Sequence, residues 1–277
     1  MLCPRVGHIN FLNVLPLTYS YKNGYSEGLK MTYEVPSVLN DNLKRNLLDI
    51  SPISSIVYAK NDDELLMLPN ICIRADCDVT SIVLISKKPI ENITNDKIIL
   101  SSKSATSHRL LKIILSEGYN ANPNYEIDNV DVNNPISDDS TASLLIGDDA
   151  LYMYLRTPKD LYCYDIGKEW HKLTGHSMVY AVWAVRREFA KKFPDQLKFA
   201  YDKIISGMQS GIKNKSMAIK SVLHEKTFSY EELDRYLGNI IKWDLPKEAI
   251  ESLMVYYNLA YKLNLIEHTP KIEFALV

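Results

Sequence analysis

The sequence predicts an α/β protein with two lobes and a central ligand cleft. Short apolar strands alternate with helices as far as residue 185, and the pattern after that is helical only. Lys87-Lys88-Pro89 interrupts the alternation, and an apolar strand near residue 178 returns the chain. We therefore predict mostly parallel sheets. Residues 1–87 and 183–277 would form an outer lobe, and residues 88–182 an inserted inner lobe.

Composition excludes several classes of function. The chain has 277 residues and a net charge of −2, which gives no reason to expect nucleic acid or an anionic membrane as a partner. The sequence has no run of 18 apolar residues, so no transmembrane helix is predicted. The pattern of a secretion signal, a basic segment followed by an apolar one, is not found, so we expect a cytoplasmic protein. The four cysteines fit neither a zinc site nor a CxxC redox pair, and we expect free thiols.

In the first part of the chain, strands are predicted from runs of Ile, Val and Leu that end at polar or Pro positions. Leu39, Leu43 and Leu47 form one helical stripe behind Ser37, a plausible N-cap. The predicted strands are residues 6–12, 31–35, 66–74 and 80–86, with a further short strand at 48–55 that runs into a Ser-rich turn. The predicted helices are residues 14–22, 56–60 and the segment after Ser37.

The second part of the chain becomes increasingly helical. Gly175 is a predicted helix terminator, residues 229–232 form a capping box, and Pro246 occupies the first position of a late helix. The predicted strands are residues 97–101, 125–130, 144–148 and 178–185. The predicted helices are residues 104–116, 166–173 and 198–214, one from Ala150, and two more after residues 229 and 246.

Five polar turns follow apolar strands, at residues 10–13, 51–55, 78–81, 104–107 and 147–148. In α/β folds, ligands bind at the carboxyl ends of strands, so we expect these turns to converge on one cleft. The turns are rich in Ser, Thr and Asn and contain few charged groups. They therefore predict a polar small molecule held by hydroxyls, amides and backbone N–H groups.

Each turn also has a purely structural interpretation. Residues 104–107 begin a helix, whose free N–H groups bind carboxylate or phosphate, but one hydroxyl there would suffice as a cap. Ser54-Ser55 and Gly147-Asp148 share this ambiguity, and alone they favour caps or turns. Asn13 can orient a substrate but cannot act as a general base. His8 lies in an apolar strand and is predicted to be a buried structural residue.

No recognised catalytic motif is present. The six histidines show no metal-ligand spacing, and there is no GxSxG, P-loop, GxGxxG or HExxH sequence. The remaining possibilities are a binding protein, or an enzyme whose reaction asks little of the protein.

An ordered set of segments carries a family resemblance: residues 6–16, 48–55, 80–81, 104–110, 145–148, 170–175 and 179–183. With them the chain resembles the menaquinone-biosynthesis family of the type II periplasmic-binding-protein fold. The family commonly has a Pro-Phe pair shortly after Thr-Gly, whereas Ser177-Met178 stands here after His176.

The resemblance implies loss of water from chorismate to give 3-[(1-carboxyvinyl)oxy]benzoate, without a metal, nucleotide or flavin cofactor. It implies Asn13 and Ser81 as catalytic residues beside the reacting ring. Thr106 and Ser107 would bind one carboxylate, and Ser54 and Ser55 the other. The remaining residues predicted to bind substrate are Asn10, Gly147 and Asp148.

No base for the C3 proton is evident among these residues, and one hypothesis assigns it to the substrate's own enolpyruvyl carboxylate. Two alternatives remain open. One is a cytoplasmic module that binds a small carboxylate without catalysis. The other is the sister enzyme that releases dihydroxynaphthoate from a cyclic futalosine derivative, although the block at residues 9–13 favours the dehydratase.

Overall fold

The computed structural model describes residues 3–224 and 228–277. Its strands are β1 (Arg5–Ile9), β2 (Lys30–Glu34), β3 (Ile50–Ser54), β4 (Leu65–Ala75), β5 (Ile82–Ser86), β6 (Lys97–Ser101), β7 (Asn124–Asp128), β8 (Ala142–Ile146), β9 (Tyr162–Asp165), β10 (Met178–Arg186) and β11 (Ile241–Lys242). Its helices are α1 (Leu15–Ser20), α2 (Pro36–Lys44), α3 (Ser55–Ala59), α4 (Thr106–Ile113), α5 (Gly147–Leu155), α6 (Ile166–Thr174), α7 (Arg187–Lys192), α8 (Pro194–Lys213), α9 (Lys215–Lys220), α10 (Tyr230–Arg235) and α11 (Lys247–Lys262). Within the described ranges, no helix has the length and apolar character needed to cross a membrane.

The strands form two mixed sheets. The first has the order β11-β4-β10-β3-β1-β2, and the second has the order β7-β6-β8-β5-β9. Parallel pairs occur around β1 and β6, but β10 is antiparallel to β3 and β4, and β5 is antiparallel to β8 and β9. The prediction of mostly parallel sheets is therefore wrong. Alternation along the sequence does not reveal that β10 returns from the second sheet directly beside β4.

The chain passes between the sheets twice. The first crossover lies between Ala75 and Ile82, and the second lies between Asp165 and Met178. Strand β5 thus belongs to the second sheet and the whole of β10 to the first. The lobe limits at residues 87/88 and 182/183 remain a prediction.

Several local signals were interpreted correctly. Gly175 ends α6 in the left-handed region at φ 74°, and Ser229 and Glu232 form the predicted capping box at α10. The starts of two helices were predicted wrongly. Val35, not Ser37, is the N-cap of α2, and Pro246 precedes α11 as its N-cap. Strand β1 ends at Ile9, and the short strands β9 and β11 were missed.

Helices α1 and α8 pack closely where α8 carries two glycines, Gly207 and Gly211. A Cβ on Gly211 would lie 1.9 Å from the Pro16 carbonyl oxygen, and one on Gly207 would lie 3.0 Å from Leu17 Cδ1. The backbone of α8 therefore approaches the α1 backbone at Gly211 and the Leu17 side chain at Gly207. This contact fixes α1, and with it the turn that joins α1 to β1.

The buried carboxylate of Asp49 links β1, β3 and β10 at the end of the first sheet where β1 and β3 begin and β10 ends. Asp49, which precedes β3, accepts from the Arg5 backbone N–H at 2.9 Å and from Arg5 Nη2 at 2.6 Å. Arg186, at the end of β10, donates to the same carboxylate at 3.3 Å. Burial opposes ionisation of Asp49, but the hydrogen bonds and charge of Arg5, with Arg186, outweigh it and lower its pKa.

We predict that Asp49→Asn destabilises the fold by about 3 kcal/mol, because it leaves two guanidinium groups without their buried carboxylate. The depressed pKa means that this stabilisation is complete above the unfolded-state pKa of about 4 and is lost as pH falls through the folded-state value. Urea unfolding at neutral and acidic pH measures both effects. Asp41→Asn, at an exposed ion pair, is the control and should change stability by less than about 0.5 kcal/mol.

Candidate functional site

A cleft lies where the two sheets meet. Strand residues such as Ile9, Ile73 and Ala181 form the apolar wall from the first sheet, and Ile82 and Ile146 form that from the second. The polar lining comes from all five predicted turns: Asn13, Ser54, Ser81, Ser104, Thr106, Ser107 and the backbone of Gly147.

The turn after β1 presents Asn13 to the cleft. Trp243 Nε1 donates to the Asn13 carbonyl oxygen at 2.8 Å, which fixes the backbone of this turn. The side-chain Oδ1 of Asn13 is buried and has no hydrogen-bond partner among the described residues. A buried, unpartnered amide oxygen is costly, by about 1–3 kcal/mol, and a ligand group would relieve that cost.

The first crossover turn presents Ser81. Thr80 has φ 56°, an unusual value for a β-branched residue, and Ser81 N donates to the Val79 carbonyl oxygen at 2.7 Å. Asp165 holds this turn: its carboxylate accepts from Val79 N at 3.0 Å and from Thr80 N at 2.6 Å. Burial raises the pKa of Asp165, although these backbone hydrogen bonds favour its ionised form.

The hydroxyl of Ser81 is set by a tyrosine from the C-terminal part of the chain. Tyr236 donates to Ser81 Oγ at 2.8 Å, and both residues are buried. Ser81 Oγ in turn lies 3.3 Å from the Val79 carbonyl oxygen, a long hydrogen bond. Tyr236 therefore fixes the position of Ser81 Oγ, while the Ser81 hydroxyl proton is donated in the long bond to Val79, which a closer ligand oxygen can replace.

Helix α4 begins at the cleft with its first N–H groups uncapped by any side chain. Ser107 Oγ donates to Ser104 Oγ at 2.7 Å, and Thr106 Oγ1 accepts from the Ile56 N–H at 3.3 Å. The N–H groups at the start of α4 carry partial positive charge, so this end of the helix can bind a carboxylate.

Gly147 and Asp148 at the start of α5 have structural tasks. Gly147 has φ 69°, and a Cβ there would lie 2.9 Å from the Phe11 ring. Asp148 Oδ1 accepts from the Leu12 N–H at 2.9 Å, so it fastens the second sheet to the turn that carries Asn13. Asp148 therefore acts on the cleft through the position of that turn.

The other predicted site residues differ in whether they line the cleft. Ser54 lines the cleft, and Asn40 Oδ1 holds its backbone N–H at 3.0 Å. Ser55 lies behind the lining, where its hydroxyl donates to the Val179 carbonyl oxygen at 2.8 Å. Asn10 is exposed and does not line the cleft. Its backbone N–H donates to the Glu34 carbonyl oxygen at 3.0 Å.

His8 is a structural residue, as predicted. It is buried, and its Nε2 lies 2.7 Å from Thr18 Oγ1, which itself donates to the Val14 carbonyl oxygen. Burial lowers the pKa of His8 to about 3, so the imidazole is neutral at physiological pH. Burial also lowers the pKa of His108, whose Nε2 lies 2.7 Å from the Ser101 carbonyl oxygen.

The cleft lining is electrically neutral. In the part of the chain that the structure describes, the lining side chains include no Lys, Arg, His, Asp or Glu. Burial raises the pKa of both Tyr180 and Tyr236, so their hydroxyls stay protonated. The site can therefore donate hydrogen bonds and orient a ligand, but its own lining offers no group that would accept a proton near neutral pH.

Three important residues were missed from the sequence. Tyr180 lines the cleft from β10 with an unpartnered buried hydroxyl, and Tyr236 and Asp165 hold Ser81 and its turn. Asp165 stands directly before an apolar helix and accepts from the Lys168 N–H at 3.1 Å, a typical N-cap signal that was available. Nothing in the sequence pattern places Tyr236 beside Ser81, because 155 residues separate them.

The segment that departs from the family pattern lies outside the cleft lining. Ser177 Oγ donates to Ser252 Oγ at 3.1 Å, and the Ser177 carbonyl oxygen accepts from Trp170 Nε1 at 3.0 Å. Met178 is buried at the start of β10. These contacts anchor the second crossover to α6 and α11.

Comparison with known proteins agrees with this architecture. A protein from Archaeoglobus fulgidus superposes with a TM-score of 0.75 at 17% identity, covering 95% of this chain and 98% of that one. The periplasmic aliphatic sulphonate binding protein of Escherichia coli superposes with a TM-score of 0.65 at 11% identity, over 97% and 90% of the two chains. A Candida albicans protein described as having the generic periplasmic binding protein fold gives 0.63 at 12% identity, over 100% and 98%. These similarities confirm the predicted fold.

Sequence comparison identifies the family. Chorismate dehydratase of Thermus thermophilus is 30% identical over 197 residues, which are 66% of this chain and 70% of that protein. The profile of a family described as menaquinone biosynthesis matches residues 4–262, almost the whole chain. The chain therefore belongs to the menaquinone biosynthesis family, as the sequence motifs predicted.

Proposed function

We propose that this protein is a chorismate dehydratase, which converts chorismate and releases water to give 3-[(1-carboxyvinyl)oxy]benzoate. The observation that carries the proposal is a neutral cleft in which Asn13 and Ser81 face the uncapped start of α4. The similarity to the dehydratase of Thermus thermophilus supports the choice of substrate. Location in the cytoplasm remains a prediction from the sequence.

The reaction asks little of the protein. The C3–H bond breaks and its electron pair forms the C3=C4 double bond, while the C4–O bond breaks and the hydroxyl leaves with a proton as water. The ring becomes aromatic, so product stability drives the elimination. No electron is lost to an acceptor, and the step itself needs no redox cofactor.

The residues of the cleft have separate roles in this proposal. The start of α4, with Thr106 and Ser107, binds one carboxylate of chorismate through N–H and hydroxyl groups. Asn13 orients the ring or donates to the departing hydroxyl. Ser81, whose oxygen already accepts from Tyr236, donates to the enolpyruvyl side of the substrate.

The substrate itself would supply the base. The cleft lining offers no carboxylate or imidazole, and Asp148 is engaged with the Leu12 N–H. A neutral, apolar cleft that holds the enolpyruvyl carboxylate against C3 would raise its effective concentration and its basicity together. Proximity then replaces a protein general base.

A binding module without catalysis is the second candidate, because periplasmic binding proteins share the fold. The sister enzyme that forms dihydroxynaphthoate is the third. Incubation of the pure protein with chorismate separates them. The proposal expects loss of chorismate and appearance of the aromatic enolpyruvyl ether. Binding by calorimetry without turnover would favour the module instead.

We predict that Asn13→Ala lowers kcat by about 10²–10³, because it removes an oriented hydrogen-bonding group from the reacting centre. Asp148→Asn should have a smaller effect, since an amide oxygen can still accept from the Leu12 N–H. Steady-state kinetics of both variants measure this. An Asp148→Asn enzyme that binds chorismate normally but is as inactive as a base knockout would contradict substrate-supplied proton transfer.

We predict that Tyr236→Phe lowers kcat about tenfold with little change in KM, because Ser81 loses the donor that fixes its hydroxyl. Tyr261→Phe, at a half-exposed tyrosine on α11, is the matched control and should leave the kinetics unchanged. A Tyr236→Phe enzyme with wild-type kcat would show that Ser81 does not depend on this contact.

A further inference from the structure

A second pocket shares the first crossover turn with the cleft. Val79 and Ser81 line the cleft, whereas the intervening Thr80 lines the second pocket, which has a volume of about 220 Å³. The cleft and this pocket are thus separated by a single strained turn. The other walls are Leu151, Tyr154 and Leu155 of α5, Tyr236 and Ile240 after α10, and Glu231, Glu232 and Arg235 on α10.

Thr80, which lines the pocket, has an unsatisfied polar group. Thr80 is 3% exposed, and its Oγ1 is buried with no hydrogen-bond partner in the described part of the chain. Its left-handed backbone at φ 56° adds strain. No described residue satisfies this hydroxyl, so a hydrogen-bonding group of a ligand is a suitable partner for it.

The charges on α10 are not equivalent. Glu232 is engaged, because its carboxylate accepts from the Ser229 N–H at 2.8 Å and from Arg156 Nη2 at 3.1 Å. Glu231 and Arg235 are both exposed, and neither has an ion-pair partner among the described residues. They are four positions apart, so they lie on one side of the helix with Cβ atoms about 5–6 Å apart. The pocket wall thus offers one free carboxylate and one free guanidinium.

We propose that this pocket binds a hydroxylated aromatic amino acid. The ammonium group pairs with Glu231 and the carboxylate with Arg235. The ring packs between the apolar residues of α5 and the ring of Tyr236, and the phenol satisfies Thr80 Oγ1. A zwitterion matches the two free charges, and a phenol matches a buried hydroxyl beside apolar walls.

The pocket is coupled to the cleft through Ser81, and this step rests on the proposed function. Tyr236 lines the pocket with its ring while its hydroxyl donates to Ser81 Oγ at 2.8 Å. Helix α5 joins β8 to β9 in the second sheet, and α10 precedes β11 of the first sheet. A ligand held between α5 and α10 stabilises one arrangement of the two sheets. Release of product from the cleft needs that arrangement to open, so the ligand slows turnover.

Calorimetric titration of the full chain with L-tyrosine, without chorismate, tests the pocket. We expect saturable binding that weakens about tenfold in Arg235→Gln and is lost in Leu155→Trp, which fills the pocket. Arg45→Gln, at an exposed arginine elsewhere, is the control and should bind normally. L-phenylalanine, tyramine and 3-(4-hydroxyphenyl)propionate, which each lack one polar group, should bind more weakly than L-tyrosine.

Absence of L-tyrosine binding, or binding unaffected by both pocket variants, would overturn the site. Equal binding of 3-(4-hydroxyphenyl)propionate would overturn the zwitterion assignment. With chorismate as substrate, saturating L-tyrosine should lower kcat about fivefold, and an unchanged kcat would overturn the coupling. Tyrosine binding by a chain that does not convert chorismate would support the site and refute the proposed function, while the reverse result would refute the site alone.

Discussion

The Asp165 carboxylate is the contact on which the functional architecture depends. It lies at the end of β9 and accepts N–H groups from Val79, Thr80 and Lys168. It thereby holds the first crossover in a left-handed turn and caps α6 with the same two oxygens. A β-branched residue at φ 56° costs of order 1–3 kcal/mol, and these hydrogen bonds offset that cost. The position of Ser81 follows from the turn.

Two further side-chain contacts tie together the elements around the cleft. Asp148 fastens α5 to the turn after β1, and Thr106 fastens α4 to Ile56 at the start of α3. Thr106 also lines the cleft, whereas Asp148 acts only through the turn that it holds. Asn13 Oδ1 and the Tyr180 hydroxyl are buried without partners, and the start of α4 is uncapped. The site is therefore a collection of neutral donors and acceptors with fixed positions.

The parts of this arrangement that are local in sequence could be predicted. Apolar runs followed by Ser, Thr, Asn, Asp or Gly marked all five turns, and each turn contributes to the cleft. The features that depend on tertiary contacts could not be predicted. The periodicity of β10 does not encode its antiparallel return beside β4, and adjacent serines at 54 and 55 cannot be ranked until the strand fixes which one faces the cleft. Tyr236 reaches Ser81 only through the folding of the C-terminal helices.

The similarity to a chorismate dehydratase fits a site that contributes orientation more than chemical groups. In our account, the protein binds the carboxylates, orients the ring and excludes water, and the substrate provides both the driving force and the base. His8 and His108, the buried histidines among the described residues, are engaged in structural contacts and their pKa values are lowered by burial. Neither is available to titrate as a catalytic base near neutral pH.

The dependence of kcat on pH with chorismate tests this central claim most directly. Because no described lining group titrates near neutrality, we expect kcat to be constant from about pH 6 to pH 9 and to fall only as the substrate carboxylate is protonated at lower pH. A limb with an apparent pKa of about 6.5–7, abolished by substitution of a single His, Asp or Glu, would show that the protein supplies the base and would contradict the account.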